Sequence, residues 1–218
     1  FFFFFFGPLS CKLLVAACLC CTNPSTLLCR TMSAAPRCLI TGASGLLGRA
    51  LMRAFTAAST ESKAAAAVKW ECTGAAFSRA SKNLIKVDLR DAKAVRELVT
   101  KLKPNVIVHA AAERFPDKVE ADKEAAQKLN VEATRELASA AKEVGAWLLY
   151  ISTDYVFDGK ASPYKTSDKP NPLNTYGALK LGGEQAVLKE LPSAVVLRVP
   201  FLYGSVECAT QLALRHGH

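Results

Sequence analysis

Downstream of Pro36 the apolar positions fall into two rhythms. Short, nearly continuous apolar runs at Arg37–Thr41, Trp70–Phe77, Leu84–Val87, Val106–His109, Trp147–Ser152 and Ala194–Val199 predict six buried strands. Between them the spacing lengthens to three and four. Leu47, Leu51 and Phe55 predict a helix over Leu46–Thr56. Val95, Leu98, Val99 and Leu102 share one face of a helix over Asp91–Lys103, which Pro104 ends. Ala121–Val144 reads as one long helix stopped by Gly145, and Gly177–Leu188 as another. Ala57–Ala67, rich in alanine and serine, reads as a linker. Strands alternating with amphipathic helices pair in parallel through right-handed crossovers. Continuous apolar strands need cover on both sheet faces. The pattern therefore predicts an α/β fold with a doubly wound parallel sheet.

The first 31 residues break this pattern. A Phe1–Phe6 homopolymer precedes Lys12 and an apolar stretch over Leu13–Cys21, too short and interrupted to span a membrane. This segment reads either as a targeting leader or as a translated stretch upstream of a start at Met32, and the second reading is favoured. Cys11, Cys18, Cys20, Cys21 and Cys29 belong to it. The other cysteines, Cys38, Cys72 and Cys208, form neither a disulfide framework nor a metal-ligand spacing, so the body of the chain reads as reduced and cytoplasmic.

Composition changes the picture little. The 218 residues carry 28 Lys+Arg against 19 Asp+Glu, a net charge of +9. The basic residues are dispersed and not interleaved with aromatic residues, which favours a solvated surface over a nucleic-acid interface. Half of the residues are hydrophobic, enough for a sizeable core.

Chemistry enters at the first strand-to-helix junction. In Thr41-Gly42-Ala43-Ser44-Gly45-Leu46-Leu47-Gly48, Gly42 suits a turn that needs positive φ, and Gly45 lets backbone approach a diphosphate. Gly48 allows close packing of the helix, whose first amides and dipole favour phosphate. In a βαβ setting this reads as a dinucleotide loop of the Rossmann type. The second strand is followed by Phe77-Ser78-Arg79, without the acid expected for a ribose hydroxyl. Arg79 suits a 2′-phosphate, so NADP(H) is favoured over NAD(H). Asp88, after the third strand, suits an adenine amino group.

Tyr176 and Lys180 are four apart on a predicted helix, one turn apart on one face. The ammonium is expected to lower the phenol pKa, preparing Tyr176 to exchange a proton with a carbonyl or alcohol oxygen. Thr153, at the end of the fifth strand, is placed to hydrogen-bond the same oxygen. Thr153, Tyr176 and Lys180 are the candidate catalytic set. No metal site is expected, and His216 and His218 are not read as a metal pair.

The glycine loop followed by this Thr-Tyr-Lys set resembles the extended short-chain dehydrogenases/reductases. The segments Ser152–Gly159 and Pro172–Gly177 are similar to the dTDP-4-dehydrorhamnose reductase-like branch. Within it, His109–Asp117 and Leu197–Gly204 are more similar to the regulatory beta subunits of methionine adenosyltransferase. The resemblance covers about Arg37 to Glu207. It implies cofactor contacts at Ser44, Gly45, Leu46 and Leu47, at Phe77, Ser78 and Arg79, and at Asp88 and Leu89. It adds Ala110, Arg114, Tyr176, Lys180 and Leu202. Ser78 stands where the beta subunits commonly carry a basic residue.

As a partner the resemblance implies the catalytic subunit of methionine adenosyltransferase; the alternative is an NADPH-dependent reductase of a nucleotide-linked keto sugar. Residues 32–207 are expected to form the NAD(P)-binding domain and 208–218 an unrelated tail. The family's second, smaller substrate or partner domain is expected to be largely missing.

Overall fold

The computed structural model describes residues 35–61, 70–78 and 83–202. Six strands form one parallel sheet: β1 (Arg37–Thr41), β2 (Glu71–Ala76), β3 (Leu84–Lys86), β4 (Val106–His109), β5 (Trp147–Thr153) and β6 (Val195–Val199), in the spatial order β3-β2-β1-β4-β5-β6. Register runs Ile40↔Gly74 on one side of β1 and Ile40↔Val108 on the other, then Val108↔Leu149 and Leu149↔Val195. The order reverses between β1 and β4, and at such a switch a crevice opens beyond the carboxyl ends of the strands.

Alternation along each strand divides the core in two. Leu39, Ile107, Leu148 and Tyr150 face one side, where they meet α2 (Ala92–Leu102), α5 (Ala133–Val144) and Val187 of α6 (Thr175–Glu190). Cys38, Ile40, Val106, Val108, Leu149 and Ile151 face the other, against Leu51 and Phe55 of α1 (Leu46–Glu61). All of these side chains are buried, as parallel strands covered on both faces require. The predicted doubly wound class is the observed one.

Two predicted elements differ. Helix α1 runs on to Glu61, through the first part of the stretch read as a linker; the rest of that stretch lies outside the described residues. Alanine favours helix, and low complexity by itself does not end one.

The single helix expected over Ala121–Val144 is instead α3 (Pro116–Ala121), α4 (Lys123–Gln127), a π-helical turn over Lys128–Glu132, and α5. Asp122 causes the first break. Its φ is −143°, and its carboxylate accepts from the Ala125 amide at 2.9 Å, capping the next helix. The π turn sits where buried Asn130 bonds the loop after β4: its Oδ1 accepts from Glu113 N at 2.9 Å and its Nδ2 donates to Glu113 O at 3.0 Å.

Candidate functional site

The turn from β1 into α1 is built from close backbone approaches. Gly42 has φ +70°, and a Cβ there would lie 2.8 Å from Ala110 C and O and from Ala111 Cα. Only a residue without a side chain lets this turn lie against the start of the loop after β4. A Cβ on Gly48 would meet the Gly42 carbonyl oxygen and lie 2.6 Å from Ala43 Cα, so α1 packs directly on the turn. Gly45 donates its amide to Gly42 O at 2.9 Å. Ser44 offers its carbonyl to Arg49 Nη1 at 2.7 Å, and Leu47 packs against the core side that α1 covers. Ser44, Gly45 and Leu46 are half-buried. The glycines thus pack the turn tightly and set the N-terminus of α1 directly beyond the carboxyl end of β1, a position that suits a diphosphate.

Beyond β2, Phe77 is 51% exposed and Ser78 is exposed. Arg79, the predicted 2′-phosphate partner, lies outside the described residues. Asp88 is gripped by Arg90, with Nε at 2.9 Å and Nη2 at 2.7 Å, and this hydrogen-bonded cation lowers its pKa. Arg90 also lies 5.2 Å from the centre of the Phe77 ring. The pairing joins the ends of β2 and β3 through a residue that the sequence reading overlooked. Its signal was position alone, two residues beyond Asp88. Leu89 is buried in the core.

The loop after β4 carries Ala110, whose amide donates to Thr41 O at 3.3 Å. It also carries Arg114, exposed and 4.6 Å from the Phe115 ring centre. Leu202, past β6, is half-buried against the core side that α1 covers.

Helix α6 starts at an Asn174 cap, with Gly177 N donating to Asn174 Oδ1 at 2.7 Å, and it aims three side chains at the end of β5. Tyr176 reaches Thr153, whose hydroxyl donates to Asp154 Oδ1 at 3.1 Å and accepts from Tyr155 N at 3.3 Å. Lys180, 3% exposed, donates to Ile151 O at 2.7 Å and sits 4.0 Å from the Tyr150 ring centre. Glu184, one turn further on, accepts from Ser152 Oγ and, through both oxygens, from Arg198. The structure thus brings Thr153, Tyr176 and Lys180 to the end of β5, whereas Glu184 carried no sequence signal without its partner on β6.

The electrostatics correct one expectation. Tyr176 is pushed up to about 12, chiefly by burial, with the Asp154 carboxylate adding to the rise; Arg114 and the Thr153 hydrogen bond oppose it. Lys180 does not lower it, because burial takes Lys180 itself down to about 7, against the pull of Glu184. The pair stands ready with a neutral phenol, a proton donor, and an amine close to its own titration point.

Beside this set lies a cavity of about 410 Å³, lined by Tyr155, Phe157, Tyr164, Leu173, Arg198 and Pro200 among others. Phe157 and Tyr164 stack at 4.1 Å, and Arg198 lies 4.9 Å from the Phe157 ring centre. Among the described residues no helix is long and apolar enough to cross a membrane.

The family model described as RmlD substrate binding domain matches residues 36–213. The chain is 49% identical over 178 residues to methionine adenosyltransferase 2 subunit beta of Xenopus tropicalis, covering 82% of this chain and 50% of that protein. It thus spans about half the length of the curated relatives it matches. A solved structure of a hypothetical dTDP-4-dehydrorhamnose reductase from Sulfolobus tokodaii superposes with a TM-score of 0.65 at 36% identity, covering 77% of this chain and 56% of that one. The dTDP-4-dehydrorhamnose reductase of Bacillus anthracis, solved in complex with NADP, gives 0.65 at 30% identity, covering 85% and 62%.

Proposed function

Since the chain belongs to the RmlD substrate binding domain family, we propose that it is the NADP(H)-binding part of a regulatory subunit of methionine adenosyltransferase, acting in S-adenosylmethionine synthesis in the cytoplasm. The observation that carries this reading is the 49% identity to a protein named methionine adenosyltransferase 2 subunit beta. The close-packed glycine turn, which sets the N-terminus of α1 beyond the carboxyl end of β1, supports the dinucleotide. Its diphosphate would be held by the amides of Ser44 to Leu47. Phe77 and the Arg90–Asp88 pair would receive the adenosine end, with Arg79 on the 2′-phosphate. Tyr176 and Lys180 would receive the nicotinamide end. The partner would be the catalytic subunit of methionine adenosyltransferase.

The intact Thr153, Tyr176 and Lys180 set supports a second reading, an NADPH-dependent reductase of a nucleotide-linked keto sugar. A bound nicotinamide supplies hydride exchange with a carbonyl or alcohol carbon. The residues' own part is to hold the oxygen: Thr153 orients it and Tyr176 Oη moves the proton. Co-purification of the full-length protein with a methionine adenosyltransferase catalytic subunit, followed by a stimulation assay, tests the first reading. Absence of both binding and stimulation, together with turnover of a keto sugar, would favour the second.

A further inference from the structure

Lysine and glutamate four residues apart on a helix are neighbours within reach of an ion pair. Lys180 and Glu184 have that spacing on α6, and Glu184 is 4% exposed, where an ion pair is screened least. Yet among the described residues they make no ion pair, and Lys180 Nζ donates to Ile151 O at 2.7 Å instead. The reason is on β6. Arg198 Nε donates to Glu184 Oε1 at 3.0 Å and Nη2 to Oε2 at 2.7 Å, while Ser152 Oγ also donates to Oε1. Both carboxylate oxygens are taken by a planar fork whose geometry an ammonium cannot match. The guanidinium is itself backed by the Phe157 ring.

We propose that Arg198 is a positioning residue: by occupying both oxygens of Glu184 it keeps that carboxylate from capturing Lys180, and so leaves the Lys180 amine directed at the carboxyl end of β5. This rests on the reading above, in which Lys180 receives the nicotinamide end of a dinucleotide. It adds a residue on a different strand, acting only through Glu184. Without Arg198, the nearest buried cation to Glu184 is Lys180, one helical turn away. The amine would swing down the helix toward the carboxylate and leave the Ile151 carbonyl, withdrawing from Tyr176.

The test is a suppressor pair. In a crystal structure of the Arg198→Met protein, Lys180 Nζ is expected on the Glu184 carboxylate. Its affinity for NADP is expected to fall about tenfold or more, the weight of a lost charged hydrogen bond. Affinity for 2′,5′-ADP, which carries only the adenosine end, should stay as in the unmutated protein. Adding Glu184→Leu removes the captor and should restore NADP binding. A purely structural ion pair predicts the reverse, because a second substitution in the same cluster brings no relief of function.

Lys180 remaining on Ile151 O in the single variant, or a double variant no better than the single one, overturns the proposal. Should Arg198→Met not fold, Arg198→Gln also frees the carboxylate charge and carries the same expectations. An unmutated protein that binds neither NADP nor 2′,5′-ADP overturns the nucleotide reading, and the crystallographic position of Lys180 then decides the positioning claim by itself.

Discussion

The phenol oxygen of Tyr150 occupies the space where a Cβ on Gly183 would stand. Strand β5 and helix α6 approach so closely at this point that the residue three beyond Lys180 has no room for a side chain. The same missing atom makes room for Asn130 O of the π turn, 2.7 Å from that position. Three elements thus meet behind the candidate site. Among the described residues the buried Tyr150 hydroxyl meets no hydrogen-bond partner, and the neighbouring Thr134 hydroxyl donates to Asn130 O at 3.0 Å.

Gly183→Ala is therefore expected to destabilise the protein by about 1–3 kcal/mol, the usual cost of overpacking a core. Adding Tyr150→Phe should return part of that loss, because it removes one of the two clashing oxygens. Tyr150→Phe alone should be neutral or stabilising, since it deletes a buried donor that satisfies nothing. Urea unfolding of the three variants checks the ordering.

His109 lends acid sensitivity. It is fully buried between Thr41 Oγ1, 2.6 Å from Nδ1, and Thr134 Oγ1, 2.9 Å from Nε2. Because the Thr134 proton goes to Asn130 O, Nε2 donates to Thr134, and in the neutral ring that burial favours Nδ1 accepts from Thr41. Burial, with Lys180 nearby, takes its pKa from 6.5 down to about 3. Between those values the unfolded chain binds a proton that the native chain refuses. The imidazole's contribution to stability is thus full above pH 6.5 and is lost as pH falls toward 3. His109→Gln cannot titrate, so its stability gap from the unmutated protein should narrow steadily over that interval. A gap independent of pH would contradict the neutral buried ring.

If the full-length protein reduces a keto sugar, Tyr176→Phe should cut turnover by roughly 10²–10⁴-fold while leaving cofactor affinity nearly intact. The ring stays packed edge-on against Tyr155, at 6.0 Å between centroids, and only the proton donor is lost. With the phenol pushed up to about 12, the rate should not fall through loss of the Tyr176 proton below that pH. A steady-state pH profile measures both effects.

Preference for NADP over NAD is expected to depend on Arg79. Arg79→Ala should remove most of it, as a guanidinium–phosphate pair contributes about 1.5–3 kcal/mol. Fluorescence titration with each cofactor reports the ratio. Equal affinities in the unmutated protein would show that the 2′-phosphate is not recognised.

The sequence alone determined the sheet and the places of the glycine turn and the Tyr176–Lys180 pair on it. Strand runs such as Val106–His109 and helix faces such as Val95, Leu98, Val99 and Leu102 are periodic, and periodicity is a local property that burial enforces residue by residue. The glycine turn and the Tyr176–Lys180 spacing were legible for the same reason, since one turn of backbone sets their geometry. The tertiary structure decided whatever depends on residues distant in the chain. The π turn at Asn130 follows from a bond to Glu113, and the phenol's raised pKa follows from burial that spacing does not report. Glu184 meets Arg198 of β6, and Lys180 meets the Ile151 carbonyl of β5, only after the chain has folded.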